Sequence, residues 1–213
     1  IYTLSLHDAL PIWSAMKRFS TKDITVAALF TALIAVGAFI SIPIGLVPIT
    51  LQTLFLMLAV FSLGKVRALL ASLVYVVIGI MGIPVFAGGN GGPSHILSPT
   101  FGYLIAFVIG AYITAAIVEK GLENTNVDSC SCVICAHKSE LLVYLKAGIV
   151  YTVIIYAIGL TYLYVILNVY LHKNVSMLTV FKTGCFVFLP GDIIKMVVAM
   201  LISIKLRPLI AMK

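Results

Sequence analysis

Asp192 and Lys195 are the residues of this chain best placed to do chemistry. They stand in PGDIIK, residues 190–195, within the last apolar run, and Asp192 is the one carboxylate inside any such run. Their i, i+3 spacing puts both on one helical face. Pro190 suits the first turn of a helix, where its missing N–H costs nothing, and the macrodipole favours an acid there. Ionisable groups at membrane depth cost a few kcal/mol each unless paired. Two readings follow. The pair is a structural ion pair that fixes helix packing, or it is the polar floor of a ligand pocket. A floor of this kind suits a small ligand with N–H donors for Asp192 and a carbonyl or carboxylate for Lys195.

The elements that must position this pair are set by the solvent of the fold. Hydrophobic residues make up 62% of the chain and charged residues only 10%, against about 25% charged in soluble domains. Mean hydropathy is +1.18. Crossing the hydrocarbon takes roughly 20 apolar residues as a helix. Six apolar segments are read in the 213 residues: 24–42, 49–63, 68–83, 101–118, 141–171 and about 185–204, the last interrupted early by Pro190 and Gly191. The expected fold is an all-α membrane protein, a six-transmembrane-helix bundle in one domain, 16–213. From Pro190 to Ile204 such a helix is roughly 22 Å long, so the pair should sit some way below the outer surface.

The formal net charge of +7 does not point to nucleic acid, because the basic residues fall between apolar runs and not on one stripe. With the N-terminus inside, the inner segments hold Lys17, Arg18, Lys22, Lys65, Arg67, Lys120, Lys138, Lys146, Lys205, Arg207 and Lys213. The outer ones hold Lys173 and Lys182. This asymmetry orients both termini to the cytoplasm.

The outer connection 84–100 reads PVFAGGNGGPSHILSPT. Its glycines and prolines cannot continue a helix, and irregular backbone at this depth survives only when buried in protein or lining a cavity. The flanking Val85, Phe86, Ile96 and Leu97 argue for a ligand-covering loop and against a solvated tether. In the first segment, Ala28 and Ala32 form AxxxA, a spacing that lets helices approach closely; a partner helix and internal packing both satisfy it. In VPITLQTLF, Gln52 and Thr53 stand near the outer end of the second segment. A single amide such as Gln52 is more often satisfied by neighbouring backbone than by a ligand.

Five stretches together carry a specific resemblance: AALFTALIAVGAFI (28–41), VPITLQTLF (47–55), GIMGIPVFAGGNGG (79–92), PTFGYLIAF (99–107) and LPGDIIK (189–195). The chain resembles the BioY family, the biotin-specific S subunits of energy-coupling factor (ECF) transporters. The resemblance implies a six-helix S-subunit fold in the bacterial cell membrane, with biotin bound near the outer face. It implies a transmembrane coupling subunit and two cytoplasmic ATPase subunits as partners, with Ala28 and Ala32 as the docking motif. It also implies that Asn90, Asp192 and Lys195 contact biotin between apolar walls from Phe86 and Tyr103. Gly88, Gly89, Gly91, Gly92 and Gln52 complete the candidate site. Phe101 departs from the family, which usually has Gly there; it could narrow the pocket mouth or change loop packing.

Residues 1–15 open with Ile, carry no period continued downstream, and resemble translated sequencing-adaptor sequence. They are expected to be a non-native leader, with Met16 as the natural start. Cys130, Cys132, Cys135 and His137 crowd the connection 124–140, but C-x-C-x2-C-x-H is too compressed for paired zinc knuckles, and reduced thiols are expected. No metal or cofactor is expected. An intramembrane enzyme needs paired acid/base groups or a metal cluster in its spans, where this sequence has no histidine. No repeat suggests a channel, and no nucleotide-binding motif is present, so active uptake would need separate ATPases.

Overall fold

The computed structural model describes residues 20–43, 47–125 and 133–211, without the side chains of residues 124, 125, 133–138, 208 and 211. The leader, Cys130 and Cys132, and the side chains of Cys135 and His137 therefore lie outside the described residues.

Helix α1 spans Thr21–Phe39, opened by a capping box in which Ser20 and Asp23 satisfy each other's ends. Two-residue strands β1 (Ser41–Ile42) and β2 (Ile49–Thr50) pair antiparallel, Ser41 opposite Thr50. Then come α2 (Gln52–Ser62), α3 (Lys65–Ile80), a 3-10 turn at Pro93–Leu97, α4 (Phe101–Thr125) and α5 (Val133–Val165). A π turn, Ile166–Tyr170, extends α5; α6 (Met177–Phe181), a second π turn (Lys182–Phe186) and α7 (Leu189–Ala211) complete the described chain.

The six apolar segments thus become six helices, α1 to α5 and α7, traversing the bundle in alternating directions. Among the described residues, four helical stretches are long and apolar enough to cross a membrane, while α2 has 11 residues and α3 has 16. The interior is one apolar core with Tyr75, Tyr144 and Tyr151 among its fully buried side chains. The exterior is apolar too: Leu29, Val153, Ile194 and Leu201 are each more than half exposed. A surface of this kind belongs in lipid, where backbone groups must be satisfied internally.

Two sequence expectations are corrected. Residues 40–51 are not helical at either margin. Pro43 and Pro48 lack N–H donors and bias the preceding residues toward extended backbone, so the helix ends at Phe39 and the hairpin follows. The last α-helix begins at Leu189 with Pro190 in its first turn, as expected, but the residues ahead of it are not a loop. Helical backbone starts at Met177, where the Ser176 hydroxyl accepts from the Thr179 N–H. The carbonyl that Pro190 would strike is that of Phe186, the last residue of the π turn, where widened backbone accommodates the ring. Lys182 consequently lies on helical backbone and not in a loop.

At the end bearing Lys65 and Arg67, ion pairs tie helices together: Arg67 to Asp23 at 2.5 Å joins α3 to α1, and Lys65 to Glu119 at 3.4 Å joins α3 to α4. At the opposite end the long connections 40–51 and 81–100 meet over a cavity.

Candidate functional site

Asp192 lies in the first turn of α7 and Lys195 in the next, and Asp192 is the middle residue of the apolar helical stretch Met177–Arg207. The helical turns from Met177 ahead of α7 set the pair deeper than a span beginning at Pro190 would. Asp192 is 8% exposed and Lys195 9%, so each needs partners. The Lys195 ammonium donates to Asp192 Oδ1 at 2.9 Å and to the Thr53 hydroxyl at 3.1 Å. Thr53 donates in turn to Asp192 Oδ1 at 3.2 Å, and the Tyr156 hydroxyl donates to Oδ2 at 2.6 Å. Side chains from α2, α5 and α7 thus close one hydrogen-bonded floor. Its charges cancel, yet it keeps capacity for a ligand. The ammonium has three donors, two of them used, and Oδ2 has a second lone pair.

Above the floor is a cavity with about 630 Å³ of space between its atoms, the open solvent at its mouth included. Tyr103, Leu104, Phe107, Ile155 and Phe188 supply its apolar wall, while Thr50, Gln52, His95 and Thr100 add polar atoms. Tyr103 is held by donating to the Gly184 carbonyl at 3.0 Å.

The roof is the connection after α3. Phe86 N–H donates to the Asn90 carbonyl at 2.9 Å, closing a tight turn in which Gly88 and Gly89 have φ of 74° and 73°. That left-handed backbone costs roughly 1–2 kcal/mol per residue with a side chain. The turn drives Phe86 inward, where it is 1% exposed. Its ring meets His95 at a centroid distance of 4.8 Å and the edge of Tyr75 at 5.7 Å. Gly79 of α3 is the seat of this ring: a Cβ there would lie 2.1 Å from it. Burial holds the His95 imidazole below its ordinary pKa, so the neutral ring is favoured beneath the roof.

Of the residues singled out in the sequence, Gln52, Phe86, Tyr103, Asp192 and Lys195 line this one cavity. Gln52 does so with its amide engaged inside the protein, by Thr50 at 2.8 Å and Tyr75 at 2.5 Å. Asn90, Gly88, Gly89, Gly91 and Gly92 are not among the lining residues. Asn90 is exposed, and its side-chain amide donates to the Ala87 carbonyl at 2.8 Å. The glycines shape the turn. Ala28 and Ala32 are both exposed on α1, so the AxxxA face is not used for packing within the described bundle. Phe101 packs on Tyr162 at 6.0 Å and does not line the cavity. Sequence reasoning missed Tyr156, His95, Thr50 and Thr100 as lining residues. Tyr156 carried no signal, being one tyrosine among 10, whereas Thr50 and Thr53 flank Gln52 within VPITLQT.

A helical bundle with an apolar exterior and a buried, neutral, hydrogen-bonded floor is a membrane-embedded receptor for a small polar-headed molecule. The BioY family model matches residues 14–212, and the chain belongs to the BioY family. It is similar to a biotin transporter BioY of Thermotoga maritima, 39% identical over 188 residues, covering 88% of this chain and 97% of that protein. A biotin transporter BioY of Rhizobium etli is 35% identical over 187 residues, 86% and 92% of the two chains. A solved structure, described as the S-component for biotin from an ECF-type ABC transporter, matches with a TM-score of 0.71 at 28% identity. The match covers 88% of this chain and 91% of that one.

Proposed function

We propose that this chain is the biotin-binding subunit of an ATP-driven vitamin uptake transporter and acts as a binding protein, not an enzyme. Biotin occupies the cavity over Asp192 and Lys195. The observation that carries this reading is the neutral floor. A carboxylate placed on Lys195 would leave a net negative charge beside Asp192 in a buried site, where unpaired charge is costly. A ureido ring brings two N–H donors and one carbonyl acceptor, and no charge. It complements the spare lone pair of Asp192 and the spare donor of Lys195. The ureido ring therefore lies deep, with the valerate carboxylate toward the open side near Asn90.

The remaining assignments rest on the same reading. The chain lies in the bacterial cell membrane with both termini cytoplasmic, as the lysine and arginine distribution favours, and the roof faces outward. The exposed Ala28–Ala32 face supports docking of a transmembrane coupling subunit, which in turn engages two cytoplasmic ATPase subunits.

Titration of the detergent-purified chain with labelled biotin tests this. Saturable binding is expected without any partner, and biotin amides should keep most of the affinity. Asp192→Asn should weaken binding by about 1.5–3 kcal/mol, the scale of a hydrogen bond to a charged group. A flat titration, with thiamin or riboflavin binding instead, moves the ligand to another vitamin. Failure of the amides alongside normal binding by Asp192→Asn inverts the pose.

A further inference from the structure

Two segments cover the cavity from different parts of the chain. One is the hairpin arm, which supplies Val47, Pro48 and Thr50; the other is the roof, which supplies Phe86 and Ala87. Among the described residues, no backbone hydrogen bond joins them. A side-chain relay does. Thr50 donates to Gln52 Oε1 at 2.8 Å, Gln52 Nε2 donates to the Tyr75 hydroxyl at 2.5 Å, and Tyr75 donates to the Val85 carbonyl at 3.0 Å.

The direction of this relay is fixed by valence. Val85 offers only a carbonyl, so the single Tyr75 proton goes there. Tyr75 must then accept from Gln52, which turns the amide nitrogen toward it and leaves Oε1 for Thr50. Every donation runs the same way, an arrangement in which each bond polarises the next. Tyr75 is 1% exposed and does not line the cavity. Its ring also meets Phe86 edge-on at 5.7 Å, so its hydroxyl and its ring hold consecutive residues of the roof.

We propose that Tyr75 is a positioning residue that locks the hairpin arm and the roof together, so that both must open before ligand leaves. This rests on the reading of the cavity as the ligand site. Tyr75 touches no ligand. It acts by keeping Val85 and Phe86 in register with Thr50 and Gln52. The consequence is kinetic: the relay governs escape more than encounter.

The test uses Tyr75→Phe, which removes the hydroxyl and keeps the ring, and Gln52→Met, which cuts the relay on its other side. Biotin dissociation should accelerate by roughly tenfold in each, the scale of one or two buried hydrogen bonds, with association unchanged in Tyr75→Phe, the variant that leaves the cavity lining intact. The double variant should be no worse than the faster single, because one broken link severs the relay. A second readout needs no ligand. Spin labels at Ile42→Cys and Ser94→Cys, with the native cysteines replaced, report the distance between the two segments. That distance distribution should broaden in both relay variants. Unchanged dissociation together with an unchanged distribution would overturn the proposal, as would additive effects in the double variant. If the parent chain does not bind biotin, the spin-label result still decides on the relay, so the two failures are separable.

Discussion

The floor and the roof of the cavity are made by opposite means. The floor is side chain: Thr53, Tyr156, Asp192 and Lys195 converge from three helices and satisfy one another at 2.6–3.2 Å. The roof is backbone: glycine-built turns, the bridge from Phe86 to Asn90, and an aromatic wedge seated on Gly79. Helices hold a side chain at fixed depth, whereas turns can be reshaped at low cost. On the proposed function, the difference assigns recognition to the floor and retention to the roof. A receptor that must release its cargo needs both.

The largest effect should come from removing the floor whole. Asp192→Leu with Lys195→Met exchanges a buried ion pair for apolar groups of similar size, which is often neutral for stability. Biotin binding should vanish in equilibrium titration while the thermal midpoint stays within a few degrees of the parent. Binding that survives would place the polar head of the ligand against the roof and erase the contrast. A smaller effect is expected from Gly88→Val, which forces a β-branched residue into left-handed backbone at roughly 1–2 kcal/mol. Affinity should fall about tenfold and ligand preference should not change. A change in preference among biotin analogues would give the roof a share of recognition.

A milder perturbation is acid. Since burial lowers the His95 pKa from its ordinary 6.5, the folded roof binds fewer protons than the open one. The stability this gives is present above pH 6.5 and is lost as pH falls. Affinity should decline severalfold from pH 7.5 to 5.5, and His95→Asn should flatten the decline. An equally steep profile in that variant would move the titration to another group. The smallest effect on binding, none, is expected for Ala28→Leu, which touches neither floor nor roof. Co-purification with the coupling subunit should fall while biotin affinity holds.

The helices and the Asp192–Lys195 pair were legible because apolar run length and a lone buried acid are strong local signals. The hairpin was not. Two-residue strands have no period to read, although Pro43 and Pro48 did mark its margins. The start at Met177 was missed because Lys173, Asn174 and Lys182 look like a polar connection. Ser176 ahead of an apolar run was the available capping signal. Tyr156 and Tyr75 were out of reach for a different reason. Their roles come from partners 36 and 10 residues away, contacts that only the packed bundle defines.

Helix α1 carries one more consequence. Its far end is stapled to the hairpin arm, since Leu51 N–H donates to the Gly37 carbonyl at 3.0 Å. Ala28 and Ala32 flank its middle, on the outside. A 19-residue helix is a rod ~28 Å long. Tilting it by ~10° about its middle swings each end by ~2.5 Å for that length. A partner that grips the alanine face therefore holds the helix at its middle, and any tilt it imposes moves the hairpin stapled over the cavity.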